Sequence, residues 1–117
     1  MNIEELRNYC LSKKGVTESF PFDETTLVFK VMGKIFALTD TEKEFSINLK
    51  CDPQKALELR EHYQQVKPGY HMNKNHWNTI TPDKYIEDSL IYGWVNDSYN
   101  LIAAKLTKVL KEKLEKG

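Results

Sequence analysis

Leu27-Val28-Phe29-Lys30-Val31-Met32-Gly33-Lys34-Ile35-Phe36-Ala37-Leu38-Thr39 is the stretch that decides the fold. Leu27, Phe29 and Val31 alternate with Val28 and Lys30, the period of a strand with two distinct faces. Met32-Gly33 reverses the chain in a tight turn. A second strand then covers Lys34 to Thr39, with Phe36 and Leu38 expected on one face and Ile35 and Ala37 on the other. Asp40 to Lys43 turns the chain again. In the third strand Phe45, Ile47 and Leu49 point inward, and Ser46, Asn48 and Lys50 point outward. Connections this short join antiparallel neighbours, so the three strands form a meander.

Toward the N-terminus, Phe20-Pro21-Phe22-Asp23 reads as an extended link, because Pro21 disfavours helix at Phe20. Ahead of it a helix is expected from Ile3 to Lys13. Asn2 caps it, Glu4 and Glu5 suit its positive end, Lys13, Lys14 and Gly15 suit its stop, and Ile3, Leu6 and Cys10 share its packed stripe. Toward the C-terminus, Asp52-Pro53 starts a helix reaching Tyr63, with a capping side chain before a proline at the first helical position. Ala56, Leu59, Arg60 and Tyr63 fall on one side of it. A second hairpin spans Val66 to Met72 and His76 to Thr81 and reverses at Asn73-Lys74-Asn75. Pro82-Asp83 breaks that pattern. A last helical region starts near Asp88 or Ser89 and is expected to bend at Asp97-Ser98. Tyr99, Ile102, Leu106, Val109 and Leu110 form its apolar stripe, with Lys105, Lys108, Lys111, Lys113 and Lys116 on its outer face and end.

The order helix–three strands–helix–two strands–helix implies a two-layer α+β domain with one antiparallel sheet, its helices covering one sheet face. Residues 1–117 suit a single domain with one core. The other sheet face is solvated, covered by the Phe20–Phe22 link, or used for binding.

Composition narrows the function. Acids and bases balance at 17 each, so any site for a polyanion is local rather than spread over the surface. The N-terminus carries acids where a signal peptide has bases, and no stretch reaches the roughly 20 apolar residues of a membrane span. A cytoplasmic protein without membrane contact is expected. Cys10 and Cys51 lie far apart with no CxxC partner and read as two buried, reduced thiols. Proximity to a helix N-terminus is a way to lower the Cys51 pKa.

No catalytic constellation emerges. Ser98 lacks the glycines of a nucleophile elbow, neither cysteine has an adjacent base, and there is no P-loop or GxGxxG. Asp88 beside Glu87 reads as a helix cap. His71 and His76 flank a turn but lack the third and fourth ligands that zinc requires. Neither an enzyme nor a metal or other cofactor is expected.

One window departs from the balanced charge. From His62 to Pro82 there is no carboxylate, and all three histidines (His62, His71, His76) lie within it. Lys74 stands between Asn73 and Asn75 at the hairpin tip, with Lys67, His71, His76 and Asn78 along the arms. The first hairpin adds Lys30 and Lys34 beside its turn. Lysines neutralise phosphates, and asparagines bond to phosphate or to adenine edges. Solvated turn residues would have the same composition. Trp77 and Tyr70 are core aromatics or, if exposed, stacking platforms; periodicity leaves open which side of its strand Trp77 occupies.

Three stretches carry a family resemblance: Leu27 to Leu38, Pro68-Gly-Tyr-His-Met-Asn-Lys-Asn-His-Trp-Asn-Thr79, and Asp97 to Leu106. Together, in this order and over nearly the whole chain, they resemble the MmcQ/YjbR family; the middle stretch is the specific one. That family is similar to the type III secretion chaperone fold, and its members are commonly labelled DNA-binding because their hairpins are thought to form a double wing. The resemblance implies DNA as partner, and the composition of the two hairpins offers Lys30, Lys34, Lys67, His71, Asn73, Lys74, Asn75, His76 and Asn78 as its contacts. Histidine participation implies tighter binding below about pH 6.5, where imidazole becomes cationic. The chaperone-like architecture also implies an alternative, a module that accepts a peptide or another protein. A third reading is a small-ligand pocket around Tyr70, His71, Trp77 and Tyr99.

Overall fold

The computed structural model describes residues 1–69 and 72–117. Its elements, in chain order, are α1 (Ile3–Leu11), β1 (Val16–Ser19), β2 (Thr26–Val31), β3 (Lys34–Asp40), β4 (Ile47–Lys50), α2 (Pro53–His62), β5 (Val66–Pro68), β6 (Trp77–Ile80), α3 (Asp88–Ala104) and α4 (Lys108–Lys116). One antiparallel sheet has the order β1-β2-β3-β4-β6-β5. The α+β class, the meander and the second hairpin agree with the sequence reading.

The caps act where expected. The Asn2 side chain accepts from the Glu5 amide, and the Asp52 side chain accepts from the Lys55 amide just ahead of Pro53. Met32 and Gly33 both take positive φ, 48° and 85°, as the tight β2–β3 turn requires. At Gly15, also left-handed, a Cβ would lie 2.5 Å from the Leu114 side chain, so glycine lets α4 rest on the start of β1.

Four features differ from the reading, three in the connections and edges and one, taken last, within β3. β1 was not anticipated, because Val16-Thr17-Glu18-Ser19 is mostly polar and lies on a sheet edge, where neither face is fully buried. It pairs with β2, and Glu18 is held by a two-pronged ion pair from Arg7 on α1, at 2.6 and 2.7 Å. The last helical region does not bend at Asp97-Ser98. Helix α3 runs through both residues and stops at Lys105, and α4 restarts behind Thr107, whose side chain caps it. Restarting shifts the phase, so Val109 is exposed rather than part of the packed stripe. Third, the β5–β6 ladder ends at the Pro68–Asn78 pair, short of the expected Met72 and His76. One further bond follows, from the Gly69 amide to the Trp77 carbonyl at 2.9 Å, and the Met72 amide then donates to the Gly69 carbonyl at 3.0 Å instead of across the strands.

The helices cover one sheet face. Leu6 and Cys10 of α1, Leu59 of α2, and Ile91, Trp94, Val95 and Ile102 of α3 pack on Phe29, Val31, Ile47, Leu49 and Ile80. Within β3 the expected alternation fails. The register slips between Phe29 and Lys30, leaving Phe36 as the extra residue of a β-bulge. Phe36 and Ala37 therefore both enter the helix-side core, and Leu38 turns to the opposite face beside Val28.

Candidate nucleic-acid interface

Strands β3 and β6 are both antiparallel to β4, so they run the same way. The Met32-Gly33 turn that feeds β3 and residues 72–76, which feed β6, consequently lie at the same end of the sheet. Strand β4 lies between those two strands and ends at that end with Lys50. Lys34 follows the first turn and Lys74 lies in the second loop, both exposed. Lys50 is half-buried; burial and the neighbouring Lys105 charge push its ammonium pKa down. The sheet end thus presents Lys34, Lys50 and Lys74, with Lys105 close to Lys50. None of these lysines is in an ion pair among the described residues, whose ion pairs are Met1–Asp88 and Arg7–Glu18. Asp52 and Asp97 lie nearby, close enough to act on Cys51, and Asp52 is engaged as the α2 cap.

Residues 73–76 are held down rather than free. The Cys51 amide donates to the His76 carbonyl at 2.7 Å, extending the β4–β6 ladder by one bond. The Asn73 side chain accepts from the Asn75 amide at 3.0 Å, closing a local turn around Lys74. Arg60 of α2 reaches beneath the loop, donating to the carbonyls of Lys74 and Trp77. Asn73, Lys74 and Asn75 are exposed and His76 half-exposed.

The structure separates the other residues named above. Asn78 is 1% exposed, accepts from Arg60 and donates to the Ala56 carbonyl, so its amide is consumed under α2 and has no face left for a ligand. Lys30 projects from β2 on the helix-free face, since Leu27, Phe29 and Val31 take the core side. Lys67 is exposed on the same face of β5, paired with Thr79. Trp77 is buried, on the opposite side of β6 from Asn78. Tyr99 lies on α3, against Phe36 in an edge-on contact, with its hydroxyl donating to the Lys14 carbonyl. The sheet therefore separates Trp77 from Tyr99, and they share no pocket; Tyr70 and His71 lie outside the described residues. Lys50 and Arg60 were not singled out from sequence. The signal for Lys50 was its place at the end of the third strand; Arg60 gave none beyond its position on the packed side of α2.

Cys51 also departs from expectation. It is only half-buried, and burial together with Asp52 and Asp97 raises its pKa despite the adjacent helix N-terminus. Burial pushes the Cys10 thiol up to about 12. Among the described residues no group of three His, Cys, Asp or Glu side chains is placed to hold a metal ion. No described helix is long and apolar enough to cross a membrane.

A helix-backed antiparallel sheet with two hairpins turning at one end defines the class of this molecule. The YjbR family model matches residues 11–101, and the chain belongs to that family. Among its relatives are the uncharacterized protein YbdF of Escherichia coli O157:H7, 38% identical over 97% of this chain and 94% of its own. YjbR of Escherichia coli K12, also uncharacterized, is 36% identical over 94% of this chain and 98% of its own. The crystal structure of Deinococcus radiodurans DR2400, with a DUF419 domain, superposes with a TM-score of 0.89 at 39% identity, covering 97% of this chain and 88% of that one. A Pseudomonas syringae protein gives a TM-score of 0.75 at 25% identity, covering 86% of this chain and 98% of that one.

Proposed function

We propose that this is a cytoplasmic, non-enzymatic protein that binds DNA weakly through the sheet end where both hairpins turn. The observation that carries the reading is the placement of Lys50 between the two turns, with Lys34 on one side and Lys74 on the other. Three or four ammonium groups along one edge suit consecutive backbone phosphates. Asn73, Asn75 and His76 add polar contacts beside Lys74, and the Arg60 anchor keeps the loop in one shape when it meets the duplex. Neutralising three or four phosphates gives a slope of log affinity against log salt of roughly −3 to −4. Titrating a fluorescent duplex at low salt tests this. Lys34→Glu, Lys50→Glu and Lys74→Glu should each weaken binding and flatten the slope by about one. Absence of binding at tens of micromolar, or unchanged binding by Lys74→Glu, would sink it.

A second reading rests on a different observation. Phe20 and Phe22 are 48% and 65% exposed on the link between β1 and β2. Exposed aromatics of this kind suit a protein or peptide partner. A complex that persists at high salt and is lost in Phe22→Ser would favour it over DNA.

A further inference from the structure

The helix-free face of the sheet carries a concavity of distinct chemistry, whose lining includes none of Lys34, Lys50 and Lys74. One cross-strand row runs over that face through all the strands: Ser19, Val28, Leu38, Asn48, Thr79 and Lys67. Its β2–β3 part is apolar and its β4–β5 part is polar. The Thr79 hydroxyl donates to Asn48 Oδ1 at 2.6 Å, which fixes the amide with its two Nδ2 hydrogens unclaimed among the described residues. Asn48, Thr79 and Lys67 line a concavity of about 380 Å³ together with Ser46, Lys43 and Asp40. Neither Lys43 nor Lys67 is in an ion pair among the described residues. Asp40 is partly occupied by its own turn, accepting from the amides of Glu42 and Lys43 at 2.9 and 3.2 Å. Among the described residues lining the concavity, two ammonium groups thus face one carboxylate, a single net positive charge. Asp40 and Lys43 also border an adjoining concavity of about 470 Å³ lined by Phe22, Leu38 and Met72 and by Asp23, whose carboxylate accepts from the amides and hydroxyls of Thr25 and Thr26.

We propose that this face binds a small organic acid. Its carboxylate lies between Lys43 and Lys67 on the Asn48 amide, and its apolar body extends toward Leu38, Met72 and Phe22. A carboxylate matches the net charge and the donors: two ammonium groups, an oriented amide and the Ser46 hydroxyl. A dianionic phosphate would leave one negative charge uncompensated beside Asp40. Concavities of this size, apolar on one side with a few convergent polar groups on the other, are the usual form of small-molecule sites.

Amide NMR of the full chain titrated with sodium benzoate tests the site, with benzamide as the neutral isostere and inorganic phosphate as the anion without a body. Benzoate should shift the Asn48 side-chain amide and the backbone of Leu38 and Thr79, with a Kd of about 1–10 mM, as expected for a fragment of this size. Benzamide and phosphate should bind more weakly. Lys43→Glu and Lys67→Glu should each weaken benzoate about three- to tenfold, and Asn48→Asp should abolish it, in variants that keep the native amide spectrum. Lys74→Glu should leave benzoate binding intact, so loss of the DNA reading would not touch this one. The proposal is overturned if benzamide or phosphate binds as well as benzoate, if the shifts gather at Lys34, Lys50 and Lys74, or if none occur.

Discussion

Arg60 Nε donates to Asn78 Oδ1 at 2.6 Å, joining the middle of α2 to a side chain buried in β6. The same guanidinium donates to the Lys74 and Trp77 carbonyls. One arginine therefore fixes both a strand and the loop that leads into it. Removing either partner leaves a buried polar group without its bond. Asn78→Ala and Arg60→Met should each lower unfolding free energy by about 1–3 kcal/mol in urea titrations. Arg60→Met should also speed amide exchange over residues 73–76, whereas Lys74→Ala, which keeps the bonded backbone carbonyl and removes only an exposed side chain, should cost little.

A second buried bond compensates for the β3 bulge. The Ser98 hydroxyl donates to the Phe36 carbonyl at 2.5 Å and accepts from the Lys50 amide at 2.9 Å. The β3–β4 ladder consists of Ala37–Leu49 and Leu38–Asn48, and α3 supplies the next link with a side chain. Ser98→Ala orphans both backbone groups and should cost about 1–3 kcal/mol. Faster amide exchange at Lys50, with α3 still helical by circular dichroism, would separate this role from a general loss of fold.

Gly93 lies inside α3, and a Cβ built there meets no atom within 4 Å apart from its chain neighbours and the helix's own nearby backbone. Alanine removes unfolded-state freedom without a clash. Gly93→Ala should stabilise the protein by about 0.5–1 kcal/mol, raising the urea midpoint at constant slope. A lower midpoint would contradict the open space around this position.

Cys10 gives stability a dependence on alkaline pH. Its thiol moves from 9.0 to about 12 on folding because burial disfavours the thiolate. The folded chain then holds a proton that the unfolded chain releases. This contribution is intact below pH 9 and is lost between pH 9 and about 12, by at most about 1.4 kcal/mol per pH unit. Cys10→Ala or Cys10→Ser should flatten that limb of the curve. At pH 8 a thiol reagent should modify Cys51 first, and more slowly than a free thiol, leaving Cys10 protected until unfolding.

Much of this architecture was legible from local pattern. Period-2 alternation located β2, β3 and β4, and Asn2 and Asp52-Pro53 located two helix starts. The Met32-Gly33 turn was readable because two left-handed residues in a row leave few other options. Such signals lie within a few residues of chain, where propensity and hydrogen-bonding geometry act. The candidate interface was half legible: Lys34 and Lys74 stand out beside their turns, but Lys50 joins them only through strand order.

Tertiary structure decided which face each residue serves. A single extra residue at Phe36 sent Leu38 to the far side of the sheet, and one step along β6 separated buried Asn78 from Thr79 on the helix-free face. Strand periodicity specifies alternation but not its phase, and a one-residue slip inverts every assignment that follows. The polar edge strand β1 exists because β2 offers it a ladder, and its own residues carry little signal for it. Alternation, turns and caps come from neighbours in the chain, whereas facing, edge pairing and shared charge come from partners brought together by folding.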